Sequence, residues 1–276
     1  MKNSSKKVLL ISVATIALII GIFTIPLEKV IVNTGVSDIL AEDISYFLKR
    51  LLIIALAILA IKRLNLKTLA GLDKQLPWER KYLILIPSYL LIIGALQVFE
   101  NDTSGLKVID ILLLFISTMA IGFSEELVFR GLLQSIFIQA NNGNKLFLSV
   151  LIPSIIFGAM HLGDFKTENA SSEVSQFLYT IFWGIFFGAI LLRTNKLIPL
   201  AIMHGLIDFV FGFSKIMGTE TQDTTIETTD LSAEIINAIA SSVVILPLFI
   251  IGIIVLKKVQ KENILYKISL SKSKDE

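Results

Sequence analysis

The chain has 276 residues, 54% hydrophobic and only 17% charged, with a mean hydropathy of +0.77. The charged share falls well below the quarter usual in soluble domains, which excludes a soluble globular fold. The net charge of +2 gives no basis for nucleic acid as a partner. No cysteine is present, so disulfides, thiolate zinc sites, lipid-anchored cysteines and cysteine nucleophiles are also excluded.

Uncharged runs near the ~20 residues that cross a hydrocarbon core predict an all-α, polytopic integral membrane protein. A transmembrane barrel would alternate over segments of about ten residues instead. The basic start MKNSSKK leads into residues 8–27, which carry no charge. This run is longer than a signal-peptide core and lacks an A-x-A site, so it reads as a retained first span. The second span, 44–61, is apolar apart from Lys49 and Arg50, which are expected to snorkel or face the bundle. The third is 82–99. The fourth, from 108 to about 140, is too long for one straight crossing and is expected to tilt, break or continue along the interface after Arg130. The fifth, 146–161, contains Pro153, a possible kink. The sixth, 174–192, carries Gly184 and Gly188, a small-x-x-x-small face for close helix packing. The seventh is 197–213 and the eighth 235–256, with the polar run 219–230 as a solvated loop.

Charge asymmetry fits eight spans with both termini in the cytoplasm. That arrangement puts most of the 25 lysines and arginines on the cytoplasmic side, and Glu42, Asp43, Glu100, Asp102, Asp164, Glu168, Asp223, Glu227 and Asp230 opposite. The expected organisation is a single membrane domain over 1–276, with a motif-bearing core at about 106–213. The basic cytoplasmic tail, 257–276, is expected to lie along an anionic leaflet or to act as a plain stop-transfer flank.

With the flanking charges set aside, few ionisable groups fall inside spans: Glu125, Glu126 and Arg130 in the fourth, His161 at the end of the fifth, His204 and Asp208 in the seventh. The chain's two histidines are both among them. A charge at the bilayer centre costs about 2.5–3.5 kcal/mol on insertion scales, so such residues are functional candidates. Glu126 and Arg130 are i and i+4 and share a helix face. Glu125 is rotated by about 100° from Glu126. The three residues can form a buried ion-pair clasp, yet one arginine leaves one carboxylate over, and that carboxylate is the candidate general base. His204 and Asp208 are also i and i+4. Either the aspartate accepts the imidazole N–H and fixes its tautomer, or the two act together as ligands or oxyanion donors. Phe157 and His161 lie one turn apart on one face. Straight helices would leave the two histidines at different depths. They meet if the fifth span starts late or kinks at Pro153, or if the seventh starts outside the core; the former is expected.

Other intramembrane protease logics fail. H-E-x-x-H and G-x-G-D are absent, and Ser124 lacks a G-x-S-G context. By contrast, E-E-x-x-x-R at Glu125 to Arg130, F-x-x-x-H at Phe157 to His161 and H-x-x-x-D at His204 to Asp208 resemble the three motifs of the CAAX-protease and bacteriocin-processing (CPBP, Abi-type) family of intramembrane proteases. The resemblance covers residues 106–213 and follows the family's motif order. It implies that Glu125 activates the attacking water, with Glu126 and Arg130 in support. His161 would help hold the water or a metal. His204 and Asp208 would bind the tetrahedral oxyanion or complete a metal site. The family's third motif admits Asn or Asp, and this chain has Asp208, a readier metal ligand but a poorer oxyanion donor unless protonated. A zinc ion on His161, His204 and Asp208 with an open fourth position and a metal-free mechanism both remain open.

The expected function is therefore endopeptidase action on a membrane-associated peptide or protein, in a cavity between spans four, five and seven. The partners are the lipid bilayer and the substrate, and the expected location is a bacterial plasma membrane. A proton-coupled transporter would show internal repeats, and none is apparent. A non-proteolytic membrane partner, such as an immunity or regulatory protein, would keep the fold without needing intact motifs.

Overall fold

The computed structural model describes residues 2–73, 76, 87–99, 106–162, 170–216 and 243–272, and these form helices and turns without a strand. In chain order the helices are α1 (Lys2–Phe23), α2 (Leu27–Val32), α3 (Asp38–Arg63), α4 (Ser88–Phe99) and α5 (Val108–Glu125). A π-helical segment, Glu126–Gln134, continues α5 into α6 (Ser135–Ala140). There follow α7 (Leu146–Ala159), α8 (Ala170–Thr194), α9 (Ile198–Ile216), α10 (Leu246–Lys257) and α11 (Lys261–Lys272). Pro26, at the N-cap of α2, separates it from α1; proline lacks the N–H that an interior helical position donates and so favours such a break. Asn65, Asn142 and Asn195 have φ of +53°, +47° and +62° just beyond the ends of α3, α6 and α8. Asparagine is one of the few residues that tolerates this left-handed turn out of a helix.

Among the described residues, four helical stretches are long and apolar enough to cross a bilayer: Lys6–Val32, Asp38–Arg63, Val108–Ala140 and Glu173–Thr194. Leu146–Ala159, Ile198–Phe213 and Leu246–Lys257 are shorter apolar helices. Each of the eight expected apolar stretches contains a described helix. Residues 82–86 of the third, 235–242 of the eighth and the polar run 219–230 lie outside the described residues. Large apolar side chains such as Leu9, Leu10, Ile39, Phe99 and Val108 face outward, as the surface of a multi-pass membrane protein requires.

The fourth stretch departs from its expected course at Glu126, before Arg130, where i→i+4 bonding gives way to π-helical turns. All nine residues of the π segment are buried, and such insertions are found mostly at functional sites. The fifth span begins at Leu146 as a helix of 14 residues with Pro153 inside it, so the late start is absent. At about 1.5 Å per residue α7 is only about 21 Å long, and His161 lies in the turn just past its end.

Close helix packing places the site. A Cβ on Gly122 of α5 would stand 2.6 Å from both the Ala201 carbonyl oxygen and the Gly205 nitrogen of α9. The two backbones therefore nearly touch one turn before Glu126 and one residue after His204. Gly184 and Gly188 have the packing role read from the sequence: they admit Ser154 of α7 and Gln134 of the π segment against α8. The tail differs from expectation. Within α11, Ile264, Lys267 and Ile268 are buried, and Lys267 Nζ donates to the Leu192 carbonyl at 3.1 Å. A lysine capping the carbonyl end of α8 docks the tail on the bundle; it is more than a flank.

Candidate active site

Glu125 closes α5 and Glu126 opens the π segment, so the two carboxylates leave the backbone in different directions. Glu126 points inward and is fully buried. Its Oε1 lies 3.1 Å from Arg130 Nη1 and 2.9 Å from His204 Nδ1, while its Oε2 has no hydrogen-bond partner among the described residues. The Arg130 guanidinium also sits 4.6 Å from the centre of the Phe157 ring, a cation–π contact. The phenylalanine of F-x-x-x-H thus packs the arginine of E-E-x-x-x-R. Phe157 also touches both imidazoles, at centroid distances of 5.0 Å to His161 and 6.4 Å to His204.

Glu125 faces the other way. Its Oε1 accepts from Arg50 Nη1 at 2.9 Å, and the same nitrogen donates to Ser124 Oγ at 3.1 Å. From the sequence, Glu125 is the carboxylate without a cation, and Arg50 is expected either to snorkel or to face the bundle; it faces the bundle. Arg50 is the partner of Glu125, and Ser124 serves as an acceptor in that contact. The signal in the sequence was a second basic residue inside the second span. Its target was invisible because the two residues are 75 positions apart.

His204 is held by Glu126 rather than by Asp208. A carboxylate only accepts, so Nδ1 carries the hydrogen and Nε2 points away from Glu126. Nε2 lies 3.8 Å from Glu125 Oε2 and 3.6 Å from Asp208 Oδ2, both beyond direct hydrogen-bond length. Trp183 and Phe187 flank the ring at centroid distances of 5.6 Å and 6.0 Å. His161 donates from Nδ1 to the Phe157 carbonyl at 3.0 Å, which leaves its Nε2 as the lone-pair nitrogen.

Glu125, His161, His204, Asp208 and Arg50 line one cavity of about 800 Å³. Arg50, Glu125 and His161 also line a second, of about 580 Å³, walled by α1 and the π segment. The predicted site residues are therefore gathered in two layers. Glu126 and Arg130 lie behind; Glu125, His161, His204 and Asp208 face open space.

The donor chemistry suits a metal: each imidazole has its Nδ1 fixed by an acceptor, the arrangement that orients histidine ligands. The spacing does not. Among the described residues no three His, Asp or Glu side chains converge on one point as a metal site requires.

Residues 107–210 match the family model described as type II CAAX prenyl endopeptidase Rce1-like. This segment is similar to the Rce1-like proteins of the CAAX-protease and bacteriocin-processing family. The Rce1-like segment holds all three motifs, and leaves Arg50, α1 to α4, α10 and α11 outside it. No curated protein and no solved structure is similar enough to this chain to match it. The family points to intramembrane proteolysis as the activity.

Proposed function

We propose that this chain is an intramembrane endopeptidase that hydrolyses a peptide bond of a membrane-associated peptide or protein, with Glu125 as general base. One observation carries the reading: Glu125 presents one oxygen to a roomy cavity beside His204, while Glu126 and Arg130 balance each other behind it.

Water bound to Glu125 Oε2 gives up a proton to that carboxylate as its oxygen attacks the scissile carbonyl carbon. The new C–O bond forms and the carbonyl π pair moves onto oxygen. Three carboxylates (Glu125, Glu126, Asp208) face two guanidiniums (Arg50, Arg130). One further proton, carried by His204 Nε2 or by Asp208, closes that count, and it supplies the donor that an ionised aspartate alone lacks. The developing oxyanion accepts from this pair. As the intermediate collapses, the C–N bond breaks with its electrons on nitrogen. Glu125 returns its proton to that nitrogen, which regenerates the base. His161, through Nε2, helps orient the water. No step needs a metal.

Eight crossings with both ends cytoplasmic belong to the same proposal, supported by the distribution of basic residues. The cysteine-free, lysine- and isoleucine-rich composition supports a bacterial plasma membrane. Purified Glu125→Gln protein, reconstituted beside wild type with the membrane peptides of the expressing cells, tests the reading. Wild type is expected to generate new peptide termini and the variant none; equal cleavage by both would refute it.

A further inference from the structure

Two buried acid–arginine pairs flank the site, and they differ in surroundings. Glu126 and Arg130 are 0% and 2% exposed, a sealed clasp. Glu125 and Arg50 are 11% and 15% exposed and border both cavities. A sealed clasp holds helices together, whereas a pair on a cavity wall also meets whatever enters. The guanidinium of Arg50 is itself fixed. It lies 5.1 Å from the centre of the Phe23 ring and 6.0 Å from that of Tyr46. The neighbouring Lys49 ties down the end of α1 that carries Phe23, donating to the Phe23 carbonyl at 3.3 Å and pairing with Glu28 at 3.5 Å. Ser45 adds a bond to the same glutamate at 3.3 Å.

We infer that Arg50 is a positioning residue for the proposed reaction: it fixes Glu125 Oε1 so that Oε2 is turned toward the water beside His204. The inference rests on the reading of Glu125 as general base. Arg50 Nη1 bridges two acceptors on consecutive residues, Ser124 Oγ and Glu125 Oε1. Ser124 Oγ keeps its lone pair for Arg50 by donating its own hydrogen to the Ile121 carbonyl at 2.9 Å. With Oε1 held there, the carboxylate has one orientation, and its second oxygen lies 3.8 Å from His204 Nε2. Without Arg50 the carboxylate is free to swing into either cavity, since both border it. Misplacing a reacting group by about 1 Å costs on the order of a hundredfold in rate.

Cells expressing wild type, Glu125→Gln, Arg50→Gln or Arg50→Lys provide the test. Their membrane and secreted peptides are compared by mass spectrometry, and each purified protein is unfolded by heat in detergent. The expected result is that Arg50→Gln loses the peptides that Glu125→Gln loses, by roughly tenfold or more, while its unfolding temperature stays near wild type. Arg50→Lys is expected to fall between the two, because an ammonium keeps the charge but lacks the flat guanidinium face that lies over Phe23 and Tyr46. Wild-type processing by Arg50→Gln overturns the inference. So does an Arg50→Lys protein that loses processing only together with early unfolding. If Arg50→Gln fails to accumulate, Arg50→Lys decides: a stable protein with processing cut severalfold supports the inference, and full processing overturns it. Normal peptides from Glu125→Gln alone overturn the underlying reading, and Arg50's role with it.

Discussion

His204 and Glu126 stand 78 positions apart and meet at 2.9 Å, imidazole Nδ1 to carboxylate Oε1. The same oxygen lies 3.1 Å from Arg130. One buried carboxylate thus sets the orientation of the imidazole and neutralises the guanidinium. Glu126→Gln would leave Arg130 buried without its counter-charge. Removing one partner of such a pair costs about 3–5 kcal/mol. The variant is expected to accumulate poorly and to unfold earlier in detergent, whatever its activity. Unfolding at the wild-type temperature would show that the pair is not structural.

Gly122 tests the placement of α5 on α9. With Ala201 and Gly205 backbone atoms 2.6 Å from where a Cβ would stand, even Gly122→Ala must push the helices apart. Overpacking of this kind costs about 1–3 kcal/mol, and here it also separates both glutamates from His204. Gly122→Val is expected to lower heat stability and abolish processing together. An active Gly122→Val enzyme would mean that α5 and α9 are further apart than described.

The fold and the motif layer were legible in the sequence for one physical reason: their signals are local. Apolar runs mark the helices, and i,i+4 spacing puts Glu126 with Arg130 and Phe157 with His161 on shared faces. For His204 the same logic offers Asp208, one turn away, as one possible anchor of the ring, whereas the closer carboxylate is Glu126 from another helix. Arg50 was illegible because a cation inside an apolar run looks the same whether it snorkels or reaches a carboxylate across the bundle. The π segment has no proline to announce it. In the tail, Lys267 belongs to a run of lysines that resembles a solvated flank, and only the packing distinguishes it.

Lys267 can be separated from its neighbours. Its bond to the Leu192 carbonyl caps α8, and a hydrogen bond to a charged group is worth about 1.5–3 kcal/mol. Lys267→Ala is expected to lower the unfolding temperature by a few degrees, whereas Lys261→Ala, on the exposed face of α11, is expected to leave it unchanged. Equal behaviour of the two variants would argue that the tail is undocked.

Metal dependence has a direct readout. Because no three acid or histidine side chains converge among the described residues, protein stripped with a strong chelator and assayed without added zinc is expected to retain its processing activity. Elemental analysis of the same sample checks the stripping. Loss of activity on stripping, restored by zinc, would return His161, His204 and Asp208 to the role of ligands.

The most direct test of the central claim replaces one atom group at one position. Glu125→Gln keeps the shape and can still accept from Arg50, but it cannot take a proton from water. General-base catalysis contributes about 10²–10⁴-fold, so peptide processing by the purified, correctly folded variant is expected to fall by at least about a hundredfold. Processing at the wild-type rate would contradict the assignment of Glu125 as the base.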